Sequence, residues 1–161
     1  MRILGLDPGF GRFGWGVIDY DVHQSRALAY GCSMTDAAAT LPHRLVEIYR
    51  DLEEVIEKYH PEIIAVESLF FQKNVTTAMG VAHARGVALL QAGLHNIPVA
   101  EYTPSQVKQA VTGVGNAPKS QVQAMVSLIL RISHTKAFQD DAADALAVAI
   151  TSSPSASTKP R

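Results

Sequence analysis

Cysteine is almost missing from this chain. Cys32 is the only one, so no intramolecular disulfide can form and nothing asks for an oxidising compartment. A free core thiol is its plain reading. Long apolar runs are missing as well. No stretch approaches the roughly 18 residues of a membrane span, and the N-terminus passes straight into Arg2-Ile3-Leu4-Gly5-Leu6-Asp7 without an apolar leader. The expectation is a soluble, cytoplasmic protein with no membrane association. Six histidines are present, none at a tight metal-ligand spacing from another, so a site built on paired imidazoles has no support. There is no internal repeat. The net charge is only −1, which taken at face value argues against a nucleic-acid partner.

The positions of the charges say more than their sum. Between Lys73 and Lys136 six basic residues stand against one acid, Glu101, while the remainder of the chain carries 8 basic and 14 acidic residues. Such asymmetry suits one phosphate-attracting surface beside an acidic remainder that bound metal would partly neutralise; an ordinary solvated face remains the alternative. At 161 residues and 47% hydrophobic content, there is apolar material for one domain with a full core.

The opening reads as a strand through Asp7, a turn at Pro8-Gly9-Phe10-Gly11, a second strand near Phe13–Tyr20 and a third near Arg26–Thr35. Short strands joined by turns predict an antiparallel meander. From Leu41 to Tyr59, Leu41, Leu45, Ile48, Leu52, Val55, Ile56 and Tyr59 recur at spacings of three and four, the pattern of an amphipathic helix. After Pro61 come a strand at Ile63–Glu67, a helix from about Thr76 to Leu94, and a strand near Ile97–Tyr102. This alternation predicts parallel strands with crossover helices. Thr103 and Pro104 suit the N-cap and first turn of a short helix reaching Val111. A glycine-bearing loop at Gly113–Pro118 precedes another helix from Lys119, and the last helix is expected at Asp140–Thr151. These elements make one domain over residues 1–151; the Pro/Ser-rich stretch 152–161 is expected to be a disordered tail.

Four carboxylates stand out in this frame. Asp7 closes the apolar run Ile3-Leu4-Gly5-Leu6 before Pro8-Gly9, and Glu67 closes Ile63-Ile64-Ala65-Val66. Acids at strand ends can converge at one sheet edge although the chain separates them widely. A turn-capping aspartate and a structural ion pair are their plainer readings. Asp141 and Asp144 lie three apart on the last predicted helix and share a face, where either a bound cation or ordinary helix-start acidity explains them. Asp140, four residues from Asp144, could share that face. Converging hard oxygen ligands suit Mg²⁺ or Mn²⁺, and a pair of such ions is the usual clamp for phosphodiester displacement.

The motifs Leu6-Asp7-Pro8-Gly9, Val66-Glu67-Ser68-Leu69-Phe70, Ala84-Arg85-Gly86-Val87-Ala88, Gln106-Val107-Lys108-Gln109, Lys119-Ser120-Gln121-Val122-Gln123 and Asp141-Ala142-Ala143-Asp144-Ala145-Leu146-Ala147 occur in one order. In that set and order the chain resembles the RuvC family of Holliday-junction resolvases, within the ribonuclease-H-like nucleases, over nearly its whole length to about Ile150. The resemblance implies an α/β fold with a five-stranded mixed sheet flanked by helices. It makes Asp7, Glu67, Asp141 and Asp144 the metal-binding catalytic carboxylates for two Mg²⁺ or Mn²⁺ ions, bridged by Asp7. It implies that Phe70 stacks on or wedges between bases at the junction, that Lys108 and Lys119 lie near the scissile phosphate, and that Lys73 and Arg85 are further DNA contacts.

The same resemblance implies a homodimer joined through the helix containing Ala78–Ala84, and paired symmetric nicks in four-way DNA junctions during recombination and repair, leaving 5′-phosphate and 3′-hydroxyl ends. A branch-migration helicase complex of the RuvA and RuvB type is the implied partner. Two other classes compete with this reading. Phosphotransfer of the actin-like or sugar-kinase type shares an Asp-x-Gly turn but needs a second domain and phosphate loop that this chain lacks. A junction-binding module without cleavage is disfavoured by the four intact carboxylates.

Overall fold

The structure, a computed structural model, describes residues 1–68, 75–132 and 140–154, the side chains of 75–77 excepted. The expected meander is formed by β1 (Arg2–Asp7), β2 (Arg12–Tyr20) and β3 (Ser25–Met34). β4 (Ile63–Glu67) runs parallel to β1 on its other side and β5 (Val99–Tyr102) parallel to β4, giving one mixed five-stranded sheet in the order β3-β2-β1-β4-β5. The helices are α1 (Leu41–Tyr59), α2 (Val75–Leu94), α3 (Pro104–Thr112), α4 (Lys119–Leu130) and α5 (Asp140–Thr151).

Strand periodicity divides the core in two. Leu4, Leu6, Phe13, Val17, Ile64 and Val66 face α1 and α2, where Ile48, Leu52, Val55 and Ile56 of α1 meet Ala84, Ala88 and Ala92 of α2. Each of the fully buried leucine, isoleucine and valine side chains among them contributes roughly 1.5–3 kcal/mol. On the opposite face Ile3, Ile18 and Ala65 meet α5, which α3 and α4 cover from outside through Val107, Val111, Val122 and Val126. Trp15 and Tyr20 pack against these cores as sheet-face residues.

α5 is buried around nearly its whole circumference, including Ala142, Ala143, Ala145, Ala147 and Ala149. Small residues on both sides let it lie unusually close to the sheet. A Cβ on Gly5 of β1 would fall 2.1 Å from the Ala145 carbonyl oxygen, and one on Gly14 of β2 would fall 2.2 Å from the Asp141 carbonyl oxygen. Neither distance is tolerable between non-bonded atoms, so these glycines are the seats into which α5 fits.

Most boundaries fall where the sequence places them. Thr103 caps α3 through a reciprocal capping box with Gln106, and Gly113 ends that helix in the left-handed region at φ 82°. β5 begins two residues later than the periodicity predicts. Asn96 turns at φ 55°, the Ile97 amide bonds back to the Ala92 carbonyl, and Pro98 has no amide to offer a ladder. At the other end Ser152 and Ser153, read in the sequence as tail, still bond to the end of α5, and Ser153 is buried. Positions 155–161 lie outside the described residues. Among the described residues, no helix is long and apolar enough to cross a membrane.

Candidate active site

Asp7 is the last residue of β1 and Glu67 the last of β4, and the two strands pair in parallel through Leu6 and Val66, one residue earlier. Strand alternation puts Asp7 on the face of Ile3 and Gly5, and Glu67 on the face of Ile63 and Ala65; that is the α5 face of both strands. The first turn of α5, seated on Gly14 beside Asp7 in the ladder, brings Asp141 and Asp144 to the same edge. The four acids thus converge through strand register and one close-packed helix.

The electrostatics record that convergence. Asp7 is pushed up to about 7, first by burial and then by repulsion from Asp144, Glu67 and Asp141, with Lys119 opposing. Burial raises Glu67 as well, with Asp144 adding to it and Lys108 and Lys119 opposing. Asp144 is also raised by burial, against the pull of a hydrogen bond from Lys119. Cations already attend the helix acids: Lys119 Nζ donates to Asp144 Oδ2 at 2.7 Å, and Arg12 Nε to Asp141 Oδ2 at 2.6 Å. Burial alone would lower Lys119, but Asp144 outweighs it and holds the ammonium above its ordinary value.

The donor set is all hard oxygen, the preference of Mg²⁺ or Mn²⁺, and the strained ionisation of Asp7 is what a divalent cation would relieve. Among the described residues no group of three or more acids, histidines or cysteines is gathered closely enough to cage an ion as it stands.

Of the other residues singled out by sequence, Lys108 and Lys119 line, with Glu67 and Asp144, a cavity of about 210 Å³ between β4, α3, α4 and α5. Arg85 is placed differently. Its side chain is only 19% exposed and is ion-paired with Glu101 of β5, so its guanidinium ties α2 to the sheet. Phe70 and Lys73 lie outside the described residues. Asp140 is 70% exposed and accepts from Gln123 Nε2 at 2.9 Å, apart from the burial that marks Asp7 and Asp144.

Arg12 escaped the sequence reading, which left it in the acidic remainder. A signal existed: it is the first residue of β2, at the far side of the turn that follows Asp7, and a hairpin returns such a residue to the edge it left.

The family model described as crossover junction endodeoxyribonuclease RuvC matches residues 3–152. The chain belongs to the RuvC family. A RuvC crossover junction endodeoxyribonuclease from Brevibacillus brevis is 50% identical over 151 residues, covering 94% of this chain and 90% of the relative. Thermus thermophilus RuvC superposes with a TM-score of 0.86 at 34% identity, over 94% of this chain and 92% of that one. The structure of Thermus RuvC in complex with a Holliday junction substrate superposes at 0.84 with 32% identity and the same coverage. The five-stranded mixed sheet expected from the sequence is thus the RuvC, ribonuclease-H-like, sheet.

Proposed function

We propose that this chain is a structure-specific endonuclease that resolves four-way DNA junctions, with Asp7, Glu67, Asp141 and Asp144 as its catalytic, metal-binding carboxylates. The observation that carries the reading is the meeting of these four acids at one sheet edge in a RuvC chain. RuvC enzymes are metal-dependent nucleases; two Mg²⁺ or Mn²⁺ ions per site are the reading the oxygen donors support here. When bound, such ions supply a water of lowered pKa and neutralise charge at phosphorus and at the departing 3′ oxygen.

The residues of the chain do the rest. Asp7 and Glu67 are carried by the sheet without an ion-pair partner among the described residues, whereas Asp141 and Asp144, carried by α5, each pair with a cation that a metal would have to replace. Lys108 and Lys119, beside Glu67 and Asp144 in the shared cavity, offset charge on the bound phosphate. The products are 5′-phosphate and 3′-hydroxyl ends from paired symmetric nicks.

Pairing of nicks asks for two copies of the chain, and two-fold symmetry matches a junction with two equivalent strands. On α2, Met79, Leu90 and Leu94 are exposed apolar residues, and a Cβ at Gly86 or Gly93 would meet open space; this face supports a homodimer. Phe70 as a base wedge, Lys73 as a phosphate contact, a cytoplasmic location and partnership with a branch-migration helicase complex of the RuvA and RuvB type complete the proposal. Domain limits of 1–151 belong to it also.

The test is cleavage of a synthetic four-way junction beside a matched linear duplex in Mg²⁺ or Mn²⁺, with Asp7→Asn prepared identically. Symmetric, metal-dependent nicks confined to the junction and lost in the variant are expected. Junction binding without cleavage in either metal would turn the reading into that of a binding module.

A further inference from the structure

Two arginines near the Asp7 turn are held in different ways. Arg44 of α1 is fixed at three points: Nε donates to Thr35 Oγ1 at 2.8 Å, Nη2 donates to the Phe10 carbonyl at 3.1 Å, and the guanidinium carbon lies 3.7 Å from the centre of the Phe10 ring. Arg12 is held to the site through one carboxylate, Asp141, with the weakly polar Cys32 thiol beside both and its own side chain 53% exposed. Its backbone is nevertheless well placed, because a Cβ at Gly9 would fall 2.0 Å from the Arg12 carbonyl oxygen, a measure of how tightly the turn closes on it. The side chain can leave while its root stays at the edge.

Asp141 is the carboxylate for which the Arg12 guanidinium and a divalent ion at the proposed metal site would compete. A divalent ion taking Asp141 carries twice the charge of the guanidinium and repels it across the shared carboxylate. Lys119 faces a different situation, because Nζ lies 3.8 Å from Asp140 Oδ2 as well as 2.7 Å from Asp144 and so keeps an acid when Asp144 is taken. Among the described ion pairs Arg12 has only Asp141. Once displaced, it is a permanently charged, forked donor at the mouth of a phosphodiester site, the chemistry best matched to a phosphate.

We propose that Arg12 is a metal-gated phosphate contact: it occupies Asp141 until a divalent cation takes that carboxylate, and its freed guanidinium then holds the DNA backbone beside the cut. This rests on the assignment of Asp141 to the metal site. Its consequence is linkage, since each ligand strengthens the other by the same factor: metal loading creates a DNA contact, and DNA draws Arg12 away from the metal site.

The experiment uses the full chain, Arg12→Gln and Arg12→Lys. Binding of Mn²⁺ without DNA is read by electron paramagnetic resonance of the free ion. Four-way junction binding is then followed against salt, once with Ca²⁺ and once with chelator, on junctions verified intact. Arg12→Gln is expected to bind Mn²⁺ about two- to fivefold more tightly, the factor that a half-exposed ion pair represents. In Ca²⁺ its junction affinity falls and its log–log salt slope shrinks by about 1, with no change in slope under chelator; Arg12→Lys restores the slope. Unchanged Mn²⁺ affinity in Arg12→Gln, or the same loss of slope under chelator, overturns the gating. An Asp7→Asn protein that binds Mn²⁺ as well as the parent would instead overturn the metal-site reading beneath it.

Discussion

The two strand acids and the two helix acids meet at one edge but differ in their partners. Asp7 and Glu67 end rigid strands, and burial with repulsion from neighbouring acids raises them, as burial also raises Asp144; among the described ion pairs neither strand acid has a partner. Asp141 and Asp144 open a helix and each holds a cation, Arg12 or Lys119. The sheet supplies fixed, poorly solvated charge, and the helix supplies charge that is already compensated and can change partners. The proposed loading of this site, a dication followed by a polyanion, would use both kinds.

The largest break in this comparison is expected from Asp7→Asn, with opposite effects on cutting and folding. Junction cleavage in a gel assay should fall by at least about 100-fold, the usual effect of removing one member of a preorganised charged set. Metal-free stability should rise at pH 8, by up to about 4 kcal/mol, because a folded-state value near 7 means the ionised carboxylate is disfavoured by the fold. The sign follows from the raised value. The stability Asp7 contributes is fully present below its unfolded value near 3.8 and is lost as pH climbs through about 7. Urea melts of parent and variant should therefore converge near pH 4 and separate above it.

Gly14→Ala attacks the other half. With Asp141 O only 2.2 Å from the new Cβ, α5 must lift, at a cost of about 1–3 kcal/mol or more; thermal melting should drop and cleavage should fall with it. A third, smaller effect concerns pH. Below about pH 7 a metal ion must expel the Asp7 proton, so Mn²⁺ affinity should rise about tenfold per unit up to that point and flatten above it. Calorimetry in two buffers of different ionisation enthalpy would count the released proton; an affinity independent of pH between 5 and 7 would contradict the raised Asp7. The smallest change in stability is expected from Asp141→Asn, under about 1 kcal/mol, because a half-exposed ion pair contributes little. A gain comparable to that of Asp7→Asn would erase the distinction between strand and helix acids.

What could be read from the sequence followed from local rules. Period-two strands, the three-and-four spacing of α1 and the Thr103-Pro104 start of α3 each depend on neighbours a few residues away, and so did the strand-end positions of Asp7 and Glu67. What escaped depends on partners far along the chain. Arg12 meets an acid 129 residues away, and Arg85, which looks like a phosphate contact in its motif, pairs with Glu101 of β5, 16 residues on. The glycines at 5 and 14 were visible as glycines, but only the seated helix reveals that backbone atoms of α5 fill the places their side chains would take.

The seating of α5 also governs how the enzyme comes into being and how it fails. A helix packed backbone to backbone against β1 and β2, and covered by α3 and α4, cannot peel away while the rest of the core persists. Its two acids are brought to the edge by the same packing that closes the core. Heat inactivation should therefore track global unfolding, and if α5 supplies two metal ligands as proposed, chelation should lower the unfolding temperature of the whole domain.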